Sequence, residues 1–379
     1  MIRRSRHSAL ALVAPRRYAF LAAAIGAFLI GTSARAVDPA QAGGRRDATR
    51  VAIPALDPLL QAAAVTGSAE GARTLRVGPA AEYAAPGAAA AAARDGDTIE
   101  IAAGEYRGDV AVWRSNRLKI VGVGGRPHIK ADGQSAEGKG VWVIKGEDTQ
   151  VDNVEISGAR VPDKNGAAIR LEGRNLIVRN SFFHDGENGI LTGPDEHSEV
   201  VIDRCEFARN GDGQGYAHNV YIGAIAKLTV RLSYLHHAVG GHNLKSRAAI
   251  SLVSDNRLAD EGDGRASYEA DFPNGGQVIL AFNVIQKGPG AANSALVSYG
   301  AEGLSSGKNS FVAKGNTFIS QRPAGARFIA IVPGANPVDI NGNVFAGPGS
   351  LPDIAGVKSK NAVQNEMPGN VDWKPEGTR

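Results

Sequence analysis

From about residue 118 onward, the chain repeats a short phrase in which a turn residue, often Asn, precedes apolar, polar and apolar positions. This alternation is typical of short β-strands that bury one face. The last apolar position of the phrase recurs with near-constant spacing, at Ile156, Phe183, Phe207, Leu235, Leu258, Ile285, Phe318 and Phe345. Repeats with a period of roughly 20–50 residues indicate one supersecondary unit repeated as a solenoid, a propeller or an array.

The length and composition of the repeat favour a solenoid coil of three short strands. Leucine-rich repeats have a similar length, but their Leu scaffold is missing here, and a propeller blade needs about 40 residues or more. The chain also contains 48 Gly and few aromatic residues, which is typical of a turn-rich β architecture. Ahead of the repeats, a strand at 74–77, an Ala-rich helix at 86–94 and a strand at 98–101 are predicted. The helix suits the end of a solenoid, where unpaired strand edges must be covered.

In its repeat length, Asn turns and opening segment, the stretch 73–350 resembles the right-handed parallel β-helix proteins of the pectate-lyase-like superfamily. The resemblance implies an all-β fold, a single-stranded right-handed parallel β-helix with a short N-terminal capping helix. Residues 351–379 would form a C-terminal cap or tail. The superfamily includes lyases, hydrolases, epimerases and phage tailspikes, so the fold alone does not decide the reaction.

The first 36 residues have the features of a secretory signal peptide. Five Arg precede an apolar run at 18–30, and Ala34-Arg35-Ala36 supplies the small residues of a cleavage site. We therefore expect a secreted or periplasmic protein without a membrane anchor, in which 37–72 is a flexible leader. The Arg16-Arg17 pair leaves a twin-arginine export route open.

Removal of the signal changes the charge of the protein. The segment 1–36 contains six Arg and no acidic residue, so its loss lowers the net charge from +4 to about −2. A mature chain without a basic excess argues against nucleic acid as a partner. The single cysteine, Cys205, excludes an intramolecular disulfide and is expected in the core.

Two similar segments, His218-Asn219-Val220-Tyr221 and His242-Asn243-Leu244-Lys245, are followed at the same spacing by 267–271. If each interval is one coil, side chains at matching positions stack about 4.8 Å apart. The alternation then predicts one outward column of Tyr221, Lys245 and Glu269 and a second column of Arg247 and Asp271.

This stripe carries groups suited to β-elimination from an acidic polysaccharide. That reaction needs a cation for the uronate carboxylate, a base for the C5 proton and an acid for the leaving oxygen. We assign Lys245 as base and Arg247 as carboxylate partner, because an adjacent positive charge favours neutral lysine. Tyr221, His218 or His242 is the expected acid.

The segment Leu244-Lys245-Ser246, followed by Asp255-Asn256-Arg257-Leu258, resembles the catalytic-lysine region of the alginate lyase and chondroitinase B type of polysaccharide lyase. The resemblance implies that Lys245 is the base. In that family an arginine on the following coil assists and calcium lies near the carboxylate. In this chain the following coil has Glu269 and Asp271 where that family has its assisting arginine. We therefore expect Arg247, on the same strand as Lys245, to take the role of that arginine.

Two other functions stay open at this level. Glu269 and Asp271 could be the carboxylate pair of a glycoside hydrolase. Alternatively, Tyr221, Tyr268 and Tyr299 could belong to a non-catalytic glycan-binding face, or the charged columns could be surface ion pairs without function. The expected substrate-binding residues are Glu269, Asp271, Asn219, Asn243 and Tyr299, although a turn ladder is the alternative for the two Asn.

We predict no firm metal site. Asp260, Glu261 and Asp263 form a loop that is a candidate for calcium, with a solvated turn as the alternative. The pair His236-His237 lacks a further ligand at metal spacing. The expected partner is a polysaccharide substrate, and we expect the protein to be a monomer.

Overall fold

The computed structural model describes residues 71–305, 307–366 and 374, and in this part the chain forms a parallel β-solenoid of about ten coils. Each full coil contributes one strand to each of three parallel sheets, in the order first, second, third. The predicted all-β parallel β-helix is therefore confirmed. The predicted signal peptide, 1–36, and the leader as far as residue 70 lie outside the described residues.

The first sheet has eleven strands. They are β1 Thr74–Val77, β2 Thr98–Ala102, β5 Lys119–Val123, β8 Thr149–Asp152, β11 Leu176–Arg179, β14 Asp195–Asp203, β17 Ile225–Arg231, β20 Ile250–Ser254, β23 Gln277–Ala281, β26 Ser310–Lys314 and β29 Val338–Asn341. The second sheet also has eleven. They are β3 Glu105–Arg107, β6 His128–Lys130, β9 Glu155–Ser157, β12 Phe182–His184, β15 Glu206–Ala208, β18 Tyr234–His236, β21 Arg257–Ala259, β24 Val284–Lys287, β27 Thr317–Ser320, β30 Val344–Ala346 and β32 Ala362–Gln364.

The third sheet has ten strands and carries the outward face on which the candidate site lies. They are β4 Ala111–Trp113, β7 Gly140–Ile144, β10 Ala167–Leu171, β13 Asn188–Thr192, β16 Val220–Ile222, β19 Leu244–Ser246, β22 Ala270–Phe272, β25 Ala295–Tyr299, β28 Ala326–Ile331 and β31 Gly349–Ser350. Two short helices, α1 Pro86–Ala92 and α2 Val357–Lys360, complete the described elements.

The core fills the interior of the coils with stacked apolar side chains. The eight positions predicted to be equivalent are direct register partners in the second sheet, from Ile156 to Phe345. Phe183 and Phe207 stack with ring centroids 5.1 Å apart, and Phe318 and Phe345 stack at 4.9 Å. The predicted repeat is thus confirmed residue by residue, because identical positions in consecutive coils must fill the same part of the interior.

An asparagine ladder stabilises the turn between the first and second sheets. Each side-chain amide donates to the side-chain oxygen of the next Asn at 2.9–3.0 Å. Its members are Asn256, Asn283, Asn316, Asn343 and Asn361. The same oxygens accept backbone N–H groups, so the turns bury few unpaired polar groups. The recurring Asn in the sequence therefore has a structural role.

The N-terminal end of the solenoid is covered by α1, as predicted. Pro86 begins the helix, and Pro86, Ala89 and Ala90 are buried. The Gly87 N–H donates to the carboxylate of Asp109 at 3.0 and 3.2 Å, which satisfies a free donor at the start of the helix. Among the described residues, no helix has the length and apolar character needed to cross a bilayer.

Candidate functional site

The candidate site lies on the outward face of the third sheet, where Tyr221, Lys245, Asp271 and Ser298 are consecutive register partners. The pairing of Tyr221 with Lys245 is the predicted one, but the next coil is longer by two positions. The predicted stacking of Lys245 on Glu269, and of Arg247 on Asp271, is therefore wrong. Lys245 instead pairs with Asp271, with 3.8 Å between Nζ and Oδ2.

Glu269 does not face solvent, which corrects its predicted place on the substrate surface. Its side chain is fully buried and accepts from Lys287 Nζ at 3.3 Å and Asn243 Nδ2 at 2.6 Å. Burial raises the pKa of Glu269, and the nearby Lys287 ammonium opposes that shift. The longer coil places Glu269 level with Asn243, in the turn before β22, and the side chain at this turn position points into the interior.

Asn219, Asn243 and Tyr299 are also buried. Asn219 Nδ2 donates to Asn243 Oδ1 at 2.6 Å, so the two Asn form a turn ladder that continues to Glu269. The Tyr299 hydroxyl donates to the Gly276 carbonyl at 2.8 Å. The inward side chains of Asn219 and Asn243 are therefore placed away from a substrate, whereas Tyr299, although buried, borders the cleft that includes Ser298.

His218 and His242 form a buried stack beneath the site, with ring centroids 4.5 Å apart. The His242 N–H donates to His218 Nδ1 at 2.9 Å, and the Tyr268 N–H donates to His242 Nδ1 at 3.3 Å. Both rings therefore carry their proton on Nε2. Burial lowers the pKa of His218 well below its usual value and that of His242 to about 3, with help for His242 from the Lys245 charge. Neutral, buried rings of this kind are unsuited to the predicted role of proton donor to a substrate.

Asp271 is the buried carboxylate of the site. Oδ2 lies 3.5 Å from His242 Nε2 in addition to its contact with Lys245, whereas Oδ1 has no hydrogen-bond partner. Burial raises the pKa of Asp271 to about 6, and the Lys245 ammonium opposes the shift. The carboxyl therefore changes its protonation state around pH 6, well above the range of an ordinary Asp.

Lys245 and Arg247 together hold a carboxylate. One oxygen of Glu302 lies 3.2 Å from Lys245 Nζ, and the other lies 2.7 Å from Arg247 Nη1. Glu302 follows β25 in a loop, and its side chain is 46% exposed. Sequence reasoning missed Glu302, since it lies far from Lys245 along the chain and no repeat position marks it.

Tyr221 completes the exposed part of the site. Arg247 Nε donates to the Tyr221 hydroxyl at 3.1 Å, and Arg247 also donates to the side chain of Asn274. Lys245 Nζ lies 5.6 Å from the centre of the Tyr221 ring, within the range of a cation–π contact. The structure thus brings Tyr221, Lys245 and Arg247 together as predicted.

Clefts lie on both sides of this centre along the third sheet. One, of about 390 Å³, is lined by Arg170, Tyr216, Tyr221 and Arg247 among others. The other, of about 450 Å³, includes Tyr268 and Ser298. Arg170 precedes Tyr221 by two strands in the same outward column, and Tyr216 is 77% exposed. Sequence reasoning missed both residues, although the outward parity of β10 marks Arg170.

The loop named as a candidate for calcium does not bring its carboxylates together. Asp260 accepts from the Ala266 N–H in the interior, Glu261 pairs with Arg257, and Asp263 contacts His237. The three groups point to different partners, so the loop is not built as a calcium cage. Within the described ranges, the carboxylate and imidazole groups that converge at metal spacing are those of a different cluster, on the second sheet.

Comparison with known proteins agrees with this architecture. Residues 129–258, about a third of the chain, match the family model described as "Right handed beta helix region". None of the curated proteins matches the chain.

Among solved structures, pectate lyase Pel9A is 13% identical over 78% of each chain, with a TM-score of 0.51. A pectin methylesterase from Aspergillus niger is 12% identical, covering 59% of this chain and 88% of its own, with a TM-score of 0.31. A PL6 family alginate lyase, AlyGC, is 13% identical, covering 78% and 53%, with a TM-score of 0.23. The family model and the likeness to Pel9A show the fold, a right-handed parallel β-helix.

Proposed function

We propose that this protein is a polysaccharide lyase that cleaves an acidic polysaccharide by β-elimination at Lys245, Arg247 and Tyr221. The observation that carries the proposal is the carboxylate held by Lys245 Nζ at 3.2 Å and Arg247 Nη1 at 2.7 Å. That carboxylate belongs to the half-exposed loop residue Glu302, so a uronate group of a substrate can take its place.

The three side chains divide the reaction as follows. Arg247 binds the uronate carboxylate and stabilises the negative charge that develops on it when the C5 proton leaves. Lys245 Nζ accepts that proton as the general base. The electron pair of the C5–H bond forms the C4–C5 double bond and expels the glycosidic oxygen, which the Tyr221 hydroxyl protonates.

Lys245 faces two carboxylates, Glu302 and Asp271. The uronate of a bound substrate takes the place of Glu302. Asp271 remains at 3.8 Å and, backed by His242, positions the amine.

The surroundings suit an extended acidic polymer. The clefts on either side of the centre offer binding positions along the sheet, and Arg170 supplies a further cation, about 14 Å from Lys245 at three strand spacings. The exposed ring of Tyr216 offers an apolar face to a sugar.

The hydrolase alternative requires Glu269 and Asp271 to act as a pair. Glu269 is bound by Lys287 and Asn243 in the interior, so no water or glycosidic bond reaches both carboxylates. A protein that binds glycans without cleaving them would use the same clefts. It would retain a polymer without forming a product.

The test is incubation of the purified protein with a panel of uronic-acid polymers, followed by far-ultraviolet absorbance of the unsaturated product and by reducing-end formation. A lyase raises both signals on at least one polymer. New reducing ends without unsaturated product would show hydrolysis, and retention of a polymer without either signal would show binding alone.

Export of the protein is part of the proposal and rests on residues 1–36. N-terminal sequencing of the protein recovered outside the cytoplasm should give a first residue after Ala36. A chain that still begins at Met1 would contradict it.

A further inference from the structure

A second cluster of chemically active side chains lies on the outward face of the second sheet, away from the sheet that carries the Lys245 site. It consists of His128, Glu155 and His184, one from each of the consecutive strands β6, β9 and β12. His128 and Glu155 are register partners, and His184 occupies the neighbouring outward position as the partner of Ser157. The regular stacking of the coils therefore brings together residues that are far apart in sequence.

Three ligand atoms of this cluster converge. His128 Nδ1 lies 3.4 Å from Glu155 Oε1, and His184 Nε2 lies 3.1 Å from the same oxygen. All three residues have a ligand atom within 4.8 Å of the others. Bonds of about 2.0–2.2 Å to a tetrahedral zinc ion separate neighbouring ligand atoms by about 3.4 Å. The two distances to Oε1 are already of this size.

The outer nitrogens of both imidazoles are held by other groups. His184 Nδ1 donates to the Asp185 carboxylate at 2.5 Å, and Nε2 faces Glu155 Oε1 at 3.1 Å, where a metal ion would take the place of the Nε2 proton. His128 Nε2 contacts the Ser157 hydroxyl at 2.7 Å, and Phe182 stacks on His184 at 4.1 Å. Outer hydrogen bonds of this kind are what orient imidazole ligands in metal sites.

We propose that His128 Nδ1, Glu155 and His184 Nε2 bind one transition-metal ion, with zinc as the preferred metal and water in the fourth position. Two imidazoles and one carboxylate match the donors that zinc takes in sites with an open coordination position. Calcium is disfavoured, because it requires six to eight oxygen ligands. The side chains are 18%, 7% and 11% exposed, so an ion can enter and a water can complete the site.

The proposed zinc site is independent of lyase activity. The site lies on another sheet, and its test measures metal rather than product. Protein freed of metal by a chelator is titrated with ZnCl₂ in competition with a chromogenic zinc indicator. One equivalent should bind, and Co²⁺ in place of zinc should give the strong visible absorption of a four-coordinate ion.

Variants locate the ion. His184→Gln and Glu155→Gln should each weaken zinc binding about 100-fold or more, while Asp185→Asn should weaken it about 10- to 100-fold by freeing the His184 ring. His236→Gln is the matched control, since His236 also lies in the second sheet next to a carboxylate, Glu206 at 3.3 Å. It should bind zinc as the parent protein does.

Circular dichroism confirms that each variant is folded before its titration is interpreted. Zinc binding that is absent in the folded parent protein, or that persists in both His184→Gln and Glu155→Gln, would overturn the proposal. Loss of binding in His236→Gln alone would place the ion elsewhere and overturn it as well.

Discussion

Lys245 and Asp271 are register partners in adjacent strands of the third sheet, with 3.8 Å between the ammonium and the carboxylate. The coil that joins them is longer by two positions than the coil that joins Tyr221 and Lys245, and this difference decides which carboxylate lies beside Lys245. Asp271, in β22, is the carboxylate that pairs with Lys245, whereas Glu269, in the turn before that strand, pairs with Lys287 in the interior.

Replacement of Lys245 by Ala should lower turnover on an acidic polymer about 10²-fold or more, the effect of losing a general base. The substitution should also lower the free energy of unfolding at pH 7.5 by about 1–3 kcal/mol, because buried Asp271 loses a cationic partner. Rates of unsaturated-product formation and urea unfolding measure the two effects.

The matched control for this prediction is Lys314→Ala. Lys314 forms an ion pair with Asp339 at 2.9 Å on the first sheet, far from the clefts, and its side chain is 50% exposed. It should leave turnover unchanged. If Lys245→Ala keeps the turnover of this control, Lys245 is not the base.

Replacement of Glu302 by Gln should lower KM for an acidic polymer about 3- to 10-fold and change kcat less. The neutral amide no longer competes with a uronate for Lys245 and Arg247, so a gain of about 1 kcal/mol in binding is expected. Glu196→Gln, at a carboxylate that is 89% exposed, is the control. A higher KM in Glu302→Gln would mean that the loop carboxylate helps to bind substrate.

Asp271 makes the stability of the fold depend on pH. Its pKa rises from 3.8 to about 6 on folding, so the fold favours the protonated form. This contribution is fully present below about pH 4 and is lost as the pH rises through 6. Asp271→Asn resembles the protonated form. Relative to the parent, it should therefore unfold with a free energy about 2–3 kcal/mol higher at pH 7.5 and nearly equal at pH 4.

Urea unfolding at several pH values tests this dependence. Asp353→Asn removes an exposed carboxylate and should follow the parent protein at every pH. A destabilised Asp271→Asn at pH 7.5 would show that the ionised carboxylate is favoured by the fold.

Glu269→Gln should destabilise the protein by about 1–3 kcal/mol, because buried Lys287 loses its ion-pair partner and Asp260 is the carboxyl that remains near it. Product formation by the molecules that remain folded should change little. The control is Glu105→Gln, which breaks a half-exposed ion pair with Lys130. It should change the free energy of unfolding little. Full stability with loss of turnover in Glu269→Gln would instead support a hydrolase.

The sequence by itself determined the solenoid, its coil equivalences and the covered N-terminal end. Ile156, Phe183 and Phe207 could be aligned from the chain alone, because each fills the same place in a packed interior and that interior repeats with every coil. The same holds for the Asn turns, whose amides must pair with the next coil. Tyr221 and Lys245 could be predicted as neighbours because the coil between them has the regular length. Arg247 could be placed beside them because it follows Lys245 by two positions.

Only the tertiary structure decided what happens where coil length changes. The longer turn before β22 places Asp271 opposite Lys245 and brings Glu269 level with Asn243, a turn position whose side chain points into the interior. The contact of Glu302 with Arg247 depends on the path of a loop, and the convergence of His128, Glu155 and His184 depends on stacking between coils. No periodic pattern of apolar residues encodes either contact, because polar side chains outside the core are free of the packing that makes the repeat regular.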